Sequence, residues 1–305
     1  MKKIIVIAGP TASGKSSLAV EIAKKINGEV ISADSMQIYK TLDIGTAKVT
    51  GEEMQGVPHH LIDICEPSEE FSVSDFVEKA SIAIDEISAR GNVPIICGGT
   101  GLYIDSLLFN RSFGGTAKND KLREEYKQIL AEKGNQYLYD MLASVDKETA
   151  DKFHINDVPR IIRALEIFHE TGVKKSEIKE EKTPRYNHSA FYIDINRELL
   201  YSRINMRVDL MEEAGLFEEF DKILETHPNC EEFGSMKAIG YREIFNFKNG
   251  IWTKGETLEK IKQFSRNYAK RQFTWFKNAG VCECIPENLT AEEKANFIIE
   301  KYKNQ

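Results

Sequence analysis

Along the first hundred positions, apolar residues alternate between short unbroken runs and stretches spaced three and four apart. That alternation predicts βα units laid on a parallel sheet. Residues 4–8, IIVIA, read as a first buried strand. Across residues 16–26, Leu18, Ala19, Ile22 and Ile26 share one helical face, and Asn27-Gly28 ends the helix. Residues 29–33 read as the second strand. After Ser72, a candidate N-cap, Val73, Phe76, Val77, Ala80, Ile84 and Ile87 repeat at helical spacing up to Arg90-Gly91, and residues 93–97 form another buried strand. Loops starting at Gly9, Asp34 and Gly98 each follow a strand directly. All three are therefore predicted to meet at the carboxyl edge of one sheet, where ligands bind in such folds.

The pattern changes after the RSFGGT of residues 111–116. From Asp120 to about Thr171 it is helical, ending at Gly172, which suggests a helical insertion. Residues 174–185, KKSEIKEEKTPR, are charged and poor in apolar side chains, so they read as a mobile loop or exposed helix end. An apolar run at 190–195 returns the chain to the sheet before mainly helical patterns continue. The expected division is a core at 1–112, a helical insertion at 113–186, and a core continuation with a helical region at 187–305.

Composition is that of a globular protein, 41% hydrophobic and 29% charged. Five cysteines without a CxxC pair argue against a disulfide framework and a zinc ribbon and fit a reducing cytosol, hence a cytoplasmic protein. Cys282 and Cys284 read as small surface or strand residues. The apolar run after Met1-Lys2-Lys3 is too short for a signal peptide, and none approaches the roughly 20 residues that cross a bilayer. A net charge of −7 weighs against nucleic-acid binding, yet residues 261–279 hold five basic residues and no acid. One local surface is thus able to meet a polyanion.

The sharpest motif is Gly9-Pro10-Thr11-Ala12-Ser13-Gly14-Lys15-Ser16, which fits G-x-x-x-x-G-K-[ST] and lies between a strand and a helix. Backbone N–H groups around residues 11–15 can surround a diphosphate, the helix dipole favours negative charge, Lys15 adds a cation, and the Ser16 hydroxyl can ligate Mg²⁺. A P-loop alone points by default to a nucleotide such as ATP.

Other segments narrow this. Asp34-Ser35-Met36-Gln37-Ile38-Tyr39, Gly45-Thr46-Ala47-Lys48, His59-His60-Leu61-Ile62-Asp63 and Gly98-Gly99-Thr100-Gly101-Leu102-Tyr103 stand in order along the core. The run from Asn156 to Glu166, Arg207-Val208 with Met211 and Gly215-Leu216, the run from Ala238 to Glu243, and Ala269-Lys270-Arg271-Gln272-Phe273-Thr274-Trp275-Phe276 follow. Together they resemble the tRNA dimethylallyltransferase family over nearly the whole chain. The resemblance implies a P-loop NTPase-like α/β fold with a helical insertion sub-domain, Mg²⁺ as cofactor, and a monomer of the shorter bacterial type. It implies transfer of a dimethylallyl group from its diphosphate to the N6 amine of the adenine beside the anticodon, in tRNAs reading codons that begin with U.

Carried onto this chain, the resemblance makes Asp34 the acceptor of the amine proton. Thr100 bonds the bridging oxygen of the diphosphate, and Arg207 adds positive charge there. On their own residues the alternatives are a turn cap for Asp34, turn chemistry for Thr100 and a solvated helix face for Arg207. Contact with the tRNA anticodon stem-loop is implied for Asp34, Ser35, Met36, Gln37 and Thr100, and for Arg123, Arg160 and Arg163. The same is implied for Lys237, Tyr241 and Arg242, and for Arg266, Lys270, Arg271 and Lys277. The Phe264, Tyr268, Trp275 stripe reads as helix-packing core, and His59-His60 as structural packing. Rival readings are a small-molecule kinase using Asp63 as metal acid, a prenyltransferase acting on free adenine nucleotide, and a nucleotide-gated RNA-binding switch.

Overall fold

The computed structural model describes residues 1–110, 119–178 and 182–304. The RSFGGT segment and the middle of the charged stretch 174–185 lie outside the described residues. The chain divides into two compact units, residues 1–109 with 184–305, and residues 110–183. Both boundaries fall three residues before the expected ones, because an antiparallel bridge between Phe109 and Pro184 closes the first unit at that point.

The first unit carries β1 (Lys3–Ala8), α1 (Lys15–Ile26), β2 (Gly28–Ser32), the short α2 (Gly51–Met54), β3 (His59–His60), α3 (Val73–Ala89), β4 (Val93–Gly98) and α4 (Gly101–Leu108). In the second unit lie α5 (Asp120–Val145), α6 (Lys147–Ala150) and α7 (Val158–Thr171). The first unit then resumes with β5 (Asn187–Ile193), α8 (Arg197–Glu213), α9 (Leu216–Thr226), α10 (Tyr241–Lys248), α11 (Lys254–Asn278), β6 (Glu283–Ile285) and α12 (Ala291–Lys303).

The six strands form one parallel sheet in the order β3-β2-β4-β1-β5-β6. Because helices cover both faces, its central strands are unbroken apolar runs. Ile4, Val6 and Ala8 of β1 pack with Phe76, Ala80 and Ile84 of α3 and Ile104 and Leu107 of α4. Ile5 and Ile7 point the other way, into Leu18 and Ile22 of α1 and Ala295 and Ile298 of α12. α3 begins where expected, since Ser72 Oγ accepts from the Asp75 amide while Asp75 accepts from the Ser72 amide. The edge strand β6 has three residues, too few to show an alternation, and its Cys282-Glu283-Cys284 approach read only as surface or strand.

Two features hold the sheet's other end. Glu29 of β2 is buried and accepts from Arg90 at 3.1 and 2.8 Å, from Asn92 at 2.7 Å, and meets His60 at 2.6 Å. The Arg90 bonds, opposed by burial and helped by Asn92 and His60, hold its carboxyl down at about 2. His60 is thus structural, as expected. Lys48, also buried, bonds Asp43 at 2.5 Å, the Tyr39 carbonyl at 2.7 Å and Asp63.

The second unit packs Leu122, Tyr126, Leu138 and Leu142 against Ile161, Ile162 and Leu165. α5 is two helices joined at Gly134, whose φ of 78° breaks the run. Among the described residues, no helix is long and apolar enough to cross a membrane.

Candidate active site

The P-loop opens where β1 ends. Gly14, at φ 86°, adopts the left-handed conformation that glycine tolerates, and it delivers the chain into α1. No side chain caps that helix and its first turn holds no acid, so its positive end faces the loop uncancelled. Lys15 folds back toward the Pro10 carbonyl at 3.4 Å. Burial holds it below the ordinary lysine range, Cys97 and Asp34 counter this, and Arg207 adds to it. Ser16 is exposed on the first turn. One detail differs from expectation: the Thr11 N–H is bound to Gln272 Oε1 at 3.0 Å and is not presented to a ligand.

The three predicted loops do converge. Ala33 N–H donates to the Cys97 carbonyl at 2.8 Å and Thr100 N–H to the Ala33 carbonyl at 3.2 Å. Thr100 Oγ1 accepts from Ser35 N–H at 3.1 Å. Asp34 Oδ1 accepts from the amides of Met36 and Gln37 at 2.9 and 3.4 Å, so it does cap the turn after β2. It also lines a cavity of about 590 Å³, so its two readings are compatible. Gln37 reaches across to the Ala47 carbonyl at 3.1 Å and stiffens the same wall.

That cavity lies within the first unit, between the sheet edge and helices α8 and α11. Thr11, Lys15, Asp34, Ser35 and Met36 line it from the edge, Arg207 and Met211 from α8, Lys237 and Arg242 from the loop and start of α10, and Phe264, Tyr268, Arg271 and Gln272 from α11. Its lining holds five cations, Lys15, Arg207, Lys237, Arg242 and Arg271, and a single carboxylate, Asp34. In a chain of net charge −7 that concentration marks a polyanion site. Arg207 donates to Thr11 Oγ1 at 3.4 Å, and burial lowers its pKa, with Glu53 acting in the opposite sense. Burial and then the Asp34 charge push the Tyr268 hydroxyl up to about 12, while Thr100, Arg271 and Gln272 pull it back. The volume is typical of small-molecule sites, roughly 300–1,000 Å³.

A family model described as IPP transferase matches residues 37–279. A tRNA dimethylallyltransferase of Bacillus cereus is 48% identical over 279 residues, 91% of this chain and 87% of that protein. The chain belongs to the IPP transferase family. It is a prenyl-transferring enzyme on a P-loop NTPase-like fold. The crystal structure of the full-length tRNA isopentenylpyrophosphate transferase of Bacillus halodurans resembles it with a TM-score of 0.75 and 41% identity, covering 100% of this chain and 98% of that one. A eukaryotic dimethylallyltransferase acting on tRNA gives a TM-score of 0.79 and 32% identity, covering 93% of this chain and 74% of its own.

Against this family, several site expectations need adjustment. Tyr241 is not on the surface: it is fully buried and donates to Glu219 Oε1 at 2.6 Å. A side chain with no exposed area makes no RNA contact, so its role in this IPP transferase is to hold a loop. The same Glu219 carboxylate accepts from the amides of Asp43, Ile44 and Gly45 at 2.9, 2.8 and 3.1 Å, fixing the segment that leads to Thr46 and Ala47 on the cavity wall. Phe264 and Tyr268 are not core either. The buried stripe of α11 is Ile261, Ala269, Gln272 and Phe276, offset from theirs, and both aromatic rings face the cavity. Trp275 does pack, against Gly101. The spacing could not separate two neighbouring faces of one helix.

In the second unit, Arg123 and Arg163 grip the buried Glu166, Arg123 with two bonds of 3.0 Å and Arg163 with one of 2.6 Å, while Arg160 pairs with Asp157 at 3.1 Å and is mostly exposed. On α11, Lys270 and Lys277 are exposed and Arg266 bonds Asn205 at 2.5 Å. Asp63, the acid a kinase would need, is an ion-pair partner of Lys48 and is not among the cavity's lining residues. Among the described residues, no group of three or more His, Cys, Asp or Glu side chains is placed to hold a metal. Missed by the sequence reading were Gln272 and Glu219. Gln272 stood in the run 269–276 with no role assigned, and the signal for one was a polar residue inside an apolar helical stripe.

Proposed function

We propose that the cavity transfers a dimethylallyl group from dimethylallyl diphosphate to the exocyclic amine of the adenine 3′-adjacent to the anticodon in tRNAs reading codons that begin with U, releasing pyrophosphate. The observation that carries the reading is the lining of five cations, of which Arg242 is paired with Glu243, around one carboxylate, beside an uncapped P-loop helix. A diphosphate satisfies the cations; the carboxylate suits a proton that appears only as the amine attacks.

In this reading the adenine nitrogen forms a bond to the first carbon of the prenyl chain while the bond from that carbon to the bridging oxygen breaks. The electron pair leaves with pyrophosphate, and the amine proton passes to Asp34. Lys15, Arg207 and the α1 amino end stabilise the charge that grows on the leaving oxygens. Thr100, bonded to the Ser35 amide at the same edge though not itself among the cavity's lining residues, is the group assigned to the bridging oxygen in this reading. Met36, Met211, Phe264 and Tyr268 give the prenyl chain and the base apolar and aromatic surface. Mg²⁺ fits the donor set: the Ser16 hydroxyl at the start of α1 would supply one oxygen, with diphosphate oxygens and water making up the rest, a coordination Mg²⁺ commonly accepts. When bound it offsets diphosphate charge.

The test is to incubate the protein with dimethylallyl diphosphate, Mg²⁺ and unmodified tRNA, and to search the digested RNA for a prenylated adenine by mass. Prenylation of free AMP with none in tRNA would move the reading to the nucleotide-prenylating class. ATP turnover without prenylation would remove it.

A further inference from the structure

Gln272 stands in the buried stripe of α11, between Ala269 and Phe276, and is 6% exposed. An amide there costs stability unless both of its ends are bonded. Both are. Oε1 accepts from Thr11 N–H at 3.0 Å, and Nε2 donates to the Gly99 carbonyl at 2.9 Å. A backbone donor on one side and a backbone acceptor on the other permit one orientation of the amide and exclude an acid or a hydrocarbon as an equal substitute.

The two partners belong to the two loops that carry the leaving-group chemistry. Thr11 lies in the P-loop, four residues before Lys15, and its hydroxyl accepts from Arg207. Gly99 immediately precedes Thr100. These loops leave adjacent strands, β1 and β4, paired at Ala8 and Gly98. Past that last pair, the Gln272 amide bridges them. Gly99 is fitted to this contact: a Cβ added there would stand 2.2 Å from Gln272 Nε2.

We propose that Gln272 is a positioning residue for the transfer, its amide setting the separation of the P-loop and the Gly99-Thr100 turn so that a diphosphate fits between them. The proposal rests on reading the cavity as a prenyl-diphosphate site. The charged and titratable groups facing this region are Lys15, Asp34, Arg207, Tyr268 and Arg271; of these, Tyr268 also bonds the Gln272 side chain, beside the amide's two backbone bonds.

Gln272→Met keeps length and apolar packing while removing both bonds. Binding of inorganic pyrophosphate in the presence of Mg²⁺, measured by calorimetry, should weaken about five- to thirtyfold, consistent with one or two hydrogen bonds of ordinary worth. The KM for dimethylallyl diphosphate should rise with it, while the affinity for tRNA stays within about twofold and the protein still melts cooperatively. A residue that merely filled the core would disturb both substrates or neither. Gly99→Ala attacks the same bridge from the opposite side and serves if Gln272→Met does not fold. Combined, the two changes should cost no more than the larger of them alone, because both act through the same Gln272 bridge. Pyrophosphate affinity within twofold of the parent in both single variants, or losses that multiply in the double, would overturn the proposal. Wild-type protein that binds pyrophosphate but leaves tRNA unmodified would sink the transfer reading, and the pyrophosphate measurements would still decide the role of Gln272.

Discussion

Asp34→Asn separates chemistry from architecture at one atom. Asp34 Oδ1 accepts two backbone bonds, from Met36 and Gln37, and an amide carbonyl in the same place accepts both. The turn after β2 should therefore survive. What is lost is the ability to take the amine proton, a contribution of typically 10²- to 10⁴-fold for a positioned base, or about 3–5 kcal/mol of barrier. Asp34→Ala loses the base and the two turn bonds together, so beyond the same kinetic loss it should destabilise the loop by about 1–3 kcal/mol. The assay is single-turnover transfer with both substrates saturating, quenched and scored by the fraction of tRNA prenylated, alongside thermal melts of both variants. Binding should change little in Asp34→Asn, because the diphosphate is held by the P-loop and cations. If a folded Asp34→Asn protein transfers within a fewfold of the parent rate, the base assignment is wrong and Asp34 is a turn cap only.

Lys15→Ala should weaken pyrophosphate about ten- to hundredfold by calorimetry, since a charge-assisted bond is worth about 1.5–3 kcal/mol, and unchanged affinity would place the diphosphate elsewhere. Replacing Arg266, Lys270 and Lys277 together by alanine should reduce the slope of log affinity for tRNA against log salt by about 2, and an unaltered slope would show that this part of α11 does not meet phosphates. Acid should expose Glu29. Its folded carboxyl lies near 2 against an ordinary value of 4.5, so its stabilisation, about 3 kcal/mol, is complete above about pH 4.5 and disappears as the pH falls toward 2. Urea melts between pH 6 and pH 3 should lose stability more steeply in the parent than in Glu29→Gln, and parallel curves would count against the network.

Local signals carried much of the architecture. The P-loop, the strands at 4–8, 29–33 and 93–97, and the Ser72 cap are encoded by neighbours a few residues apart, and the structure forms them within a residue or so of the expected limits. The meeting of three loops at one edge followed from the rule that parallel strands put their ends together. What escaped depended on contacts between distant segments. Tyr241 stood as a tRNA contact because the resemblance implied it, and nothing near it in the chain reveals Glu219, its partner. Phe264 and Tyr268 were assigned to the core because periodicity gives the existence of a helical face and not what it meets. β6 needed β5 to exist, since three residues carry too little pattern alone. Gln272 was visible as a polar interruption, yet its partners lie 261 and 173 residues away.

That last separation bears on how the protein comes to work at all. The P-loop leaves the ribosome some 250 residues ahead of the α11 residue that ties it to its neighbour. At about 5–20 residues per second the interval is roughly 13–50 s. The strand β1 waits as well, because its partner β5 begins at Asn187. Through that interval the chain holds a phosphate-loop sequence with its tie still unmade, and until β5 emerges it also holds an unpaired edge of β1. The β1 edge closes first, once β5 has emerged, and the tie across the P-loop forms only when α11 docks.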